Sequence, residues 1–451
     1  MPPRITVLGT GYLGATHAVC LAELGFEVLG LDTNEAQVKA LAAGRLPFHE
    51  PDLEELLASS LRSGRLRFST SYAEAAAFGD VHFVCVGTPQ RTGSAAADLS
   101  YLLACVDALA PLLTRPCLVV GKSTVPVGTS EVISERLARL SPAGSAAELA
   151  WNPEFLREGH AVADTMRPDR IVIGVRSARA EAILREVYAG PLAAGVPFLA
   201  TGLATAELVK VAANAFLATK VSFINAMAEV CEAVGADIVP LARALAYDDR
   251  IGGRFLVPGL GFGGGCLPKD IRAFGATTAD LGVGSVSALL GEVDAINLRR
   301  RVRTADLALE LAGGNLAGVP VCALGAAFKP GSDDVRDSPA LDVAQILTGM
   351  GARVTVYDPA ALDNARRARP ELGYATTLAD AARGAHVVLL LTEWPEFTAL
   401  TPASLSGTVA RRNIIDARNV LDPDRWREAG WEYRALGVAA GAESAERLER
   451  T

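Results

Sequence analysis

Residues 5–32 read ITVLGTGYLGATHAVCLAELGFEVLGLD, and this stretch decides the class of fold. An apolar run is followed by Gly9, Gly11 and Gly14 in GxGxxG spacing, then by a helical stretch and a second apolar run that ends at Asp32. Continuous apolar runs of this kind are typical of parallel strands buried on both faces. The order predicts a βαβ unit that binds a dinucleotide, because the glycines let a pyrophosphate approach the helix N-terminus and the carboxylate can accept hydrogen bonds from ribose hydroxyls.

The charge of Asp32 would repel a 2′-phosphate, which favours NAD over NADP as the cofactor. Tyr12 and Leu13 lie inside the glycine turn, and Thr88 belongs to a GTP turn (87–89) that ends a later strand at the same sheet edge. We count these three residues as further candidates for cofactor binding. Two alternatives stay open, namely that Asp32 only caps the next helix and that the GTP segment is a plain turn.

The apolar pattern restarts near residue 319, where LTGMGARVTVYDPA (347–360) resembles LAELGFEVLGLDTN (21–34). The sequence therefore predicts an α/β fold with two Rossmann-like doubly wound parallel-sheet domains, joined by a long central helix and a helical middle domain. We expect an NAD-binding domain over 1–200, a helical region with a Gly-rich loop over 201–310, and a second Rossmann-like domain over 311–451. The small, polar tail after residue 438 is expected to be frayed.

Composition limits the classes of function. The 451 residues are 50% hydrophobic and carry a formal net charge of -8, which argues against nucleic acid as a partner. Seven cysteines without paired or metal-like spacing suggest reduced thiols and no metal. The most apolar helical candidate, 207–230, is interrupted by Lys210 and Lys220, so we expect no membrane span and a cytoplasmic protein.

The segment GFGGGCLPKD (261–270) places Cys266 after a run of glycines and just before Lys269 and Asp270. A cysteine is often only a small buried hydrophobe. Here, however, glycines allow backbone to approach a ligand, and a nearby cation favours the thiolate. Cys266 is therefore a candidate nucleophile.

Three more segments carry candidate chemistry. In GKSTVPVGT (121–129) Thr124 could position water, although a helix-capping role is the simpler interpretation. In WNPEFLREGHA (151–161) Glu154 and Glu158 would share one face if the segment is helical, as a proton acceptor and a ligand anchor or merely as a solvated acidic face. Lys210 and Asn214, one turn apart in an apolar helix, could donate to an alkoxide or carbonyl oxygen, unless the lysine only extends to solvent.

Together these motifs resemble the UDP-glucose/GDP-mannose dehydrogenase family over nearly the whole chain. GTGYLG, KSTVPVGT, NPEFLREG, the Lys210–Asn214 helix, GFGGGCLPKD and FKPGSDDVRDSP (328–339) occur in the family's order and spacing. RIGGRFL (250–256), TEWPEF (392–397) and DARN (416–419) resemble the branch that acts on UDP-glucose. The resemblance implies that a sugar-nucleotide primary alcohol is oxidised to a carboxylate with two NAD per turnover, here UDP-glucose to UDP-glucuronate.

The resemblance also implies roles for the catalytic candidates. Cys266 would form a thiohemiacetal and then a thioester, with Asp270 assisting proton transfer or orienting water. Lys210 and Asn214 would stabilise the oxyanion, Thr124 would lie near them with its water, and Glu154 would act as the base in thioester hydrolysis. For the cofactor it implies Lys269, Arg336 and Glu158, the last between substrate and NAD.

For the substrate the resemblance implies contacts from two segments and three single residues. The residues are Glu154, Phe155, Leu156, Arg157 and Glu158; Phe255, Leu256, Val257, Pro258 and Gly259; Gly263, which would allow close approach; Lys329; and Arg418, which would meet the nucleotide. Arg250 would reach the site of a neighbouring subunit, which implies a homodimer with the long helix in its interface. Gln37 departs from the lysine of many bacterial relatives and puts the affinity for NAD in doubt.

Other functions remain open at this point. GDP-mannose could be the substrate of the same mechanism, whereas the PKD after Cys266 argues against an N-acetylated UDP-hexosamine. A catalytically silent NAD-binding protein would not need every catalytic position to be filled. A two-electron hydroxyacid dehydrogenase would not need Cys266.

Overall fold

The structure, a computed structural model, describes residues 2–439, which divide into two compact units. The first unit consists of the residues up to Ala213 together with Ala276–Leu281, and the second of Asn214–Gly275 and the residues from Gly282 on. The predicted three domains, with boundaries at residues 200 and 310, stay a prediction. Nearly all of the tail that was expected to be frayed, 440–451, lies outside the described residues.

The first unit is built on an eight-stranded sheet. Its strands are β1 Ile5–Leu8, β2 Val28–Leu31, β3 Leu66–Ser69, β4 Val81–Val84, β5 Cys117–Gly121, β6 Ala147–Trp151, β7 Ile171–Gly174 and β8 Phe198–Thr201. They are arranged in the order β3-β2-β1-β4-β5-β6-β7-β8. The first six are parallel in the strand order of a dinucleotide-binding fold, as predicted. The sheet is not wholly parallel, because β7 pairs antiparallel to β6 and β8 follows β7.

Helices cover both faces of this sheet. They are α1 Tyr12–Glu23, α2 Glu35–Ala42, α3 Leu53–Arg62, α4 Tyr72–Phe78, α5 Ser100–Leu109, α6 Thr129–Leu140, α7 Ala161–Met166, α8 Ala178–Val187 and α9 Ala189–Ala193. Ile5 and Val7 of β1 pack in one apolar cluster and Leu8 in another, since successive side chains of a strand point to opposite faces. Burial on both faces is the reason that β1 carries no alternating polar pattern.

Four helices follow in the chain: α10 Leu203–Val234, α11 Ile238–Ala246, α12 Leu267–Asp280 and α13 Gly284–Leu311. The long loop between α11 and α12 contains the Gly-rich segment. Within the first unit, Glu207 near the start of α10 accepts from the N–H groups of Gly128 and Ser130 at 2.8 and 2.6 Å. Within the second unit, Ser222 donates to the carbonyl of Val293 in α13 at 2.7 Å.

Among the described residues, α10 is the one helix that is long and apolar enough to cross a membrane by length and composition. A core helix of a folded protein passes the same test, so this is weak evidence for a span. Glu207, Lys210 and Asn214 are buried on this helix, and Glu207 makes the contacts just given. We therefore interpret α10 as a core helix.

The second unit contains a six-stranded parallel sheet with the order β11-β10-β9-β12-β13-β14, which repeats the order of the first six strands. Its strands are β9 Pro320–Leu324, β10 Arg353–Tyr357, β11 Gly373–Tyr374, β12 Val387–Leu390, β13 Asn413–Asp416 and β14 Glu432–Ala435. Its helices are α14 Pro339–Gly349, α15 Leu362–Ala368, α16 Leu378–Ala382, α17 Pro395–Thr398, α18 Pro402–Ser406 and α19 Pro423–Glu428. The restart of the pattern near residue 319 is confirmed.

Candidate active site

The glycine turn after β1 leaves the N-terminus of α1 accessible. Gly9 has a φ of +86°, and a Cβ on Gly14 would lie 1.8 Å from the Gly9 carbonyl oxygen, so both positions require glycine. Gly11 is the N-cap residue of α1, no side chain caps the helix there, and a Cβ on Gly11 would meet nothing within 4 Å. The first-turn N–H groups can therefore bind an anion such as a pyrophosphate.

Asp32 is bound to the glycine turn at the end of β2. Its Oδ2 accepts from the N–H of Thr10 at 2.7 Å, and its Oδ1 accepts from the N–H of Asn34 at 3.0 Å. The N-cap of α2 is Asn34, whose side chain accepts from two helix N–H groups, so the alternative that Asp32 only caps this helix fails. Gln37 donates from its amide to the carbonyl of Thr10 and so closes the same turn from α2. Turn, helix end and carboxylate fit a dinucleotide.

The GTP turn and the KST segment are joined by one hydrogen bond. The hydroxyl of Thr88 donates to the carbonyl of Thr124 at 2.7 Å, and Thr88 is buried. Both follow neighbouring parallel strands, β4 and β5, at their carboxyl ends. Thr88 and Thr124 are thus brought together at the sheet edge where ligands of such folds bind.

Glu50 is a residue of this region that the sequence analysis missed. It is buried, and its carboxylate accepts from the N–H groups of Gly159 and Ala161, both at 2.7 Å, and from the hydroxyl of Tyr12. Burial and the neighbouring Glu50 carboxylate raise the pKa of the Tyr12 hydroxyl. Glu50 therefore ties the start of α1 to the segment that follows Glu158. An acid between His49 and Pro51 gave no signal of this role in the sequence.

The segment 152–157 is not helical, so the condition under which Glu154 and Glu158 would share a face is not met. Glu154 and Glu158 do not share a helix face, because the Glu154 carboxylate accepts from the N–H groups of Phe155 and Leu156 at 2.7 and 2.9 Å and so holds an extended turn. Nor does Glu154 lie on a solvated acidic face, since its side chain is only 18% exposed and forms an ion pair with Lys122 at 2.8 Å.

Lys122 belongs to a buried polar cluster that the sequence analysis did not single out. It follows β5, and its ammonium donates to the Oδ1 of Asn152 at 3.1 Å as well as pairing with Glu154. The hydroxyl of Tyr188 donates to the same Asn152 oxygen, and burial raises the pKa of Tyr188 to about 12. Burial disfavours the Glu154 carboxylate, but the charge of Lys122 and the backbone N–H groups outweigh it and lower the pKa of Glu154.

Lys210 projects from α10 within the first unit. It is 9% exposed, so the alternative of a lysine that extends to solvent does not hold. Its ammonium lies 5.5 Å from the centre of the Phe155 ring, and the guanidinium of Arg170 lies 4.0 Å from the same ring. The side chain of Arg157 is 59% exposed and pairs with Asp164 at 2.6 Å. Lys210 and Asn214 are one turn apart on the same continuous helix.

Cys266 lies directly before α12 in the second unit and acts as its N-cap residue, because the N–H of Asp270 donates to the Cys266 carbonyl at 2.9 Å. Cys266 is exposed, whereas the other six cysteines are buried. The N-terminus of a helix favours negative charge nearby, which suits a nucleophilic sulfur. The packing alternative for this thiol is therefore not supported.

Asp270 is buried one turn into α12 and has two partners. The amide of Asn214 donates to its Oδ2 at 2.6 Å, and the ammonium of Lys269 binds its Oδ1 at 2.6 Å. The structure thus brings together four of the predicted catalytic and cofactor residues, Cys266, Lys269, Asp270 and Asn214. The carboxylate holds both donors in place beside the cysteine loop.

The Gly-rich loop is packed against the protein's own backbone and side chains. A Cβ on Gly263 would lie 2.3 Å from the carbonyl oxygen of Asp337, and a Cβ on Gly265 would lie 2.3 Å from the Cζ of Arg336. The N–H of Gly264 donates to the Arg336 carbonyl at 3.0 Å. Close approach is thus already required by the fold at Gly263, and its contact with substrate stays a prediction.

The remaining predicted substrate residues lie on loops of the second unit. Arg418 is mostly buried and donates to the carbonyls of Leu391 and Gly261 at 2.7 and 3.3 Å. Phe255 has a φ of +66°, a conformation that non-glycine residues adopt mainly where the surroundings enforce it. Gly259 donates to the Oδ1 of Asn225 at 2.9 Å, and a Cβ on it would lie 2.7 Å from the Ala417 oxygen.

The side chains of the other predicted substrate and cofactor residues in this unit differ in their exposure to solvent. The side chains of Arg250 and Arg336 are 89% and 65% exposed and pair with Asp248 and Asp334. The Lys329 ammonium lies 5.4 Å from the ring centre of Phe328. Val257 is exposed and Leu256 is buried.

The second sheet repeats the acidic residue at the end of its second strand, but in another role. Asp358 follows β10 as Asp32 follows β2, and it is buried. Its carboxylate accepts from four backbone N–H groups and the indole N–H of Trp394, all at 2.8–3.0 Å; the backbone donors are Ala326, Ala327, Ala360 and Ala361. The loop that would hold a pyrophosphate is thus bound to the protein's own carboxylate.

Within residues 2–439, no group of three or more His, Cys, Asp or Glu side chains could hold a metal ion. The fold and the glycine turn define the class as a protein that binds a dinucleotide on a Rossmann-like sheet. The family model of the UDP-glucose/GDP-mannose dehydrogenases matches in all three of its parts: the NAD binding domain over residues 3–191, the central domain over 204–299 and the UDP binding domain over 322–423. The chain belongs to the UDP-glucose/GDP-mannose dehydrogenase family, which confirms the resemblance drawn from its motifs. The match to the NAD binding domain confirms NAD as the predicted cofactor.

Similar proteins extend over nearly the whole chain. A UDP-glucose 6-dehydrogenase of Rhizobium meliloti (strain 1021) is 41% identical over 436 residues, which cover 96% of this chain and 99% of that protein. A solved UDP-glucose dehydrogenase from Pyrobaculum islandicum is 39% identical with a TM-score of 0.89 and covers 97% of this chain and 98% of its own. A UDP-D-ManNAc dehydrogenase structure from Pyrococcus horikoshii is 27% identical, with a TM-score of 0.85, over 96% of this chain and 99% of its own.

Proposed function

We propose that the chain catalyses the NAD-dependent four-electron oxidation of UDP-glucose to UDP-glucuronate through a thiohemiacetal and a thioester on Cys266. The observation that carries the proposal is the exposed Cys266 at the N-terminus of α12, beside the Asp270 carboxylate that binds Asn214 and Lys269. The names of the relatives at about 40% identity support UDP-glucose as the substrate.

The first oxidation removes the proton from the oxygen of the primary alcohol and a hydride from its carbon, and leaves an aldehyde. Bound NAD⁺ supplies the hydride acceptor for both oxidations, held by the Gly9–Gly14 turn and Asp32, with Thr88, Glu158, Lys269 and Arg336 proposed as further contacts. Lys210 and Asn214 stabilise the negative charge that develops on the reacting oxygen. Their burial supports this role, since donors act more strongly where water is excluded.

Cys266 converts the aldehyde into a species that can be oxidised again. Its sulfur forms a bond to the aldehyde carbon, the carbonyl electron pair moves to oxygen, and a thiohemiacetal results. Loss of a second hydride from that carbon re-forms the carbonyl as a thioester. An aldehyde can lose a second hydride only after a nucleophile has added to its carbon. The sulfur of Cys266 supplies that nucleophile, so no water has to add first.

Hydrolysis completes the reaction. A water oxygen bonds to the thioester carbon, the carbon–sulfur bond breaks, Cys266 leaves as a thiolate, and Glu154 takes the proton of the water. Thr124 and Asp270 are proposed to orient the water. Against the effect of burial, Lys122 and the backbone N–H groups lower the pKa of Glu154, which keeps this largely buried carboxylate in the ionised form that can accept a proton.

We further propose that the segments Glu154–Glu158 and Phe255–Gly259, with Gly263 and Lys329, hold the substrate, and that Arg418 meets its nucleotide. The family match of the UDP binding domain over 322–423 supports the last role. Arg418 is anchored through its Nε, which leaves part of the guanidinium for a ligand. The backbone conformation of Phe255 and the hydrogen bond from Gly259 to Asn225 support a loop of fixed conformation.

We also propose that the protein is cytoplasmic and that it forms a homodimer. The surface that supports the dimer lies on α10. Phe216, Phe223 and Val230 lie seven residues apart on α10 and are 66%, 49% and 50% exposed, which forms an apolar stripe at heptad spacing. A second copy of the chain would bury this stripe, and Arg250 is exposed enough to reach the site of that neighbouring subunit. Sedimentation should give a dimer for the wild type and a monomer for the Phe216→Glu/Phe223→Glu variant.

The test of the function is the number of NADH formed per UDP-glucose consumed, with GDP-mannose in parallel. Two NADH per UDP-glucose, lost in Cys266→Ser, are expected. One NADH with Cys266→Ser unaffected would sink the covalent mechanism and leave a two-electron enzyme. Two NADH from GDP-mannose and none from UDP-glucose would keep the mechanism and replace the substrate.

A further inference from the structure

Lys122 is buried deep in the first unit, at the carboxyl end of β5. It is 4% exposed, and burying an ammonium is unfavourable unless it is paired and hydrogen-bonded. Its partners are the Glu154 carboxylate at 2.8 Å and the Asn152 amide oxygen at 3.1 Å. Asn152 is fixed in turn, since its own amide donates to the Val172 carbonyl at 2.8 Å. The ammonium is thus held rigidly against Glu154.

Glu154 depends on this contact for its charge. Its Oε1 accepts from the N–H groups of Phe155 and Leu156, whereas the contact of its Oε2 with Lys122 is an ion pair. Burial alone would raise the pKa of Glu154, and Lys122 makes the largest opposing contribution. A buried carboxylate that has lost its ammonium partner takes up a proton instead of remaining charged.

We propose, on the basis of the function proposed above, that Lys122 is a positioning residue for thioester hydrolysis, whose ammonium holds Glu154 ionised and fixed in orientation as the base. Lys122 does not itself exchange a proton with the substrate. When the water attacks, its proton passes to Glu154 and then to solvent, and Lys122 stays an ammonium throughout. Burial and the contact with Glu154 have opposite effects on the pKa of Lys122, and the contact prevails and raises it.

Several other titratable groups face this pair from neighbouring elements. They are Lys210 on α10, Tyr188 at the end of α8, Cys85 after β4, and His17 and Cys20 on α1. Burial holds His17 neutral and raises the pKa values of Cys20, Cys85 and Tyr188. Against the effect of burial, Lys122 and Lys210 both act on Glu154 as cations that lower its pKa.

The experiment isolates hydrolysis from oxidation. Full-length enzyme is mixed with excess UDP-glucose and NAD⁺ and quenched in acid, and the intact mass gives the fraction that carries a uronyl thioester on Cys266. For the decay, unquenched enzyme is freed of UDP-glucose and NAD⁺, incubated at pH 6.5 to pH 9, and quenched at successive times. Wild type, Lys122→Met, Glu154→Gln and Tyr188→Phe are compared. Tyr188→Phe is the matched control, since it removes a neutral group of the same cluster.

We expect Lys122→Met to form two NADH per site in a burst and then to stall as the adduct. At pH 7 the adduct should decay at least ~10-fold more slowly than in wild type, and the decay should recover as the pH rises and Glu154 loses its proton. Glu154→Gln should stall without such a titration, showing only the increase due to hydroxide. Tyr188→Phe should decay within about twofold of wild type, since the charge of Lys122 remains.

The outcomes separate the two proposals. An adduct on Glu154→Gln with wild-type decay in Lys122→Met overturns the role of Lys122 and keeps the function. A slow decay in Lys122→Met with the same pH dependence as Glu154→Gln likewise overturns it. No adduct on any variant and no NADH from UDP-glucose overturn the function, and this role with it. If Lys122→Met does not fold, Lys122→Gln, which keeps an N–H donor but no charge, takes its place with the same expectations.

Discussion

The side-chain amide of Asn297 bonds both backbone groups of Phe262: its Oδ1 accepts from the Phe262 N–H at 2.8 Å, and its Nδ2 donates to the Phe262 carbonyl at 2.9 Å. Both residues are buried, and Arg301 adds a hydrogen bond to the same carbonyl at 3.2 Å. One side chain of α13 thus serves as the strand partner that the loop before Cys266 lacks.

Replacing Asn297 should destabilise the second unit. Asn297→Ala leaves the Phe262 N–H buried without a partner and should lower the free energy of unfolding by about 2–4 kcal/mol. Asn297→Asp should also destabilise the unit, because it buries a carboxylate and places its second oxygen against the Phe262 carbonyl. Urea unfolding measures both variants. Asn315→Ala is the control, because the native Asn315 side chain accepts from the N–H of Ala317 at an exposed position. Equal losses of stability in Asn297→Ala and Asn315→Ala would refute the argument.

Gly263 and Gly265 offer a matched pair of substitutions in the cysteine loop. A Cβ at either position meets an atom at 2.3 Å, but at Gly263 this is the backbone oxygen of Asp337 and at Gly265 the mobile end of Arg336. Gly263→Ala should therefore cost about 1–3 kcal/mol of stability, and Gly265→Ala much less. The order of the two melting temperatures checks this, and a lower value for Gly265→Ala would contradict it.

Asp32 should set the preference for NAD over NADP. Asp32→Asn removes the charge that repels a 2′-phosphate, and the ratio of kcat/KM for NAD⁺ to that for NADP⁺ should fall by roughly tenfold or more. Asn34→Ala is the control, since it removes the cap of α2 and should cost about 1 kcal/mol of stability without moving the ratio. An unchanged ratio in Asp32→Asn would assign the preference to other residues.

His82 should make the first unit sensitive to acid. Burial lowers the pKa of His82 from about 6.5 to about 4, so the unfolded chain binds a proton more readily than the folded one between those values. Its contribution is fully present above about pH 6.5 and is lost as the pH falls toward 4, by up to about 3 kcal/mol. His82→Asn should show a correspondingly smaller loss of unfolding free energy between pH 7 and pH 4.5 in urea titrations. A parallel decline in both proteins would show that His82 is protonated in the folded state as well.

The sequence predicted the features that are formed by residues close together in the chain. The glycine turn with Asp32 was readable because strand, turn, helix and carboxylate follow one another within 28 residues. The Gly-rich segment likewise indicated Cys266 as a candidate nucleophile. The second sheet was predicted because the sequence repeats the apolar pattern of the first. The confirmed fold rests on these periodic, continuous features.

The parts that escaped prediction depend on distant partners. Glu154 and Glu158 would share a face only in a helix, but the Glu154 carboxylate binds its own neighbouring N–H groups and Lys122, which is 32 residues away. Glu50 meets Gly159, 109 residues further on, and no periodicity encodes such a pair. The reversal of β7 could not be read either, since a buried strand has the same apolar pattern in both directions.

We expect Asp358 to limit the chain to one molecule of cofactor. The two sheets share a strand order, and a duplicated architecture alone would suggest two equivalent binding sites. Five N–H groups already surround the Asp358 carboxylate, so an incoming pyrophosphate would have to displace an anion that is covalently part of the fold and cannot diffuse away. Equilibrium titration with NADH should therefore saturate at one equivalent per chain, at the glycine turn of the first sheet.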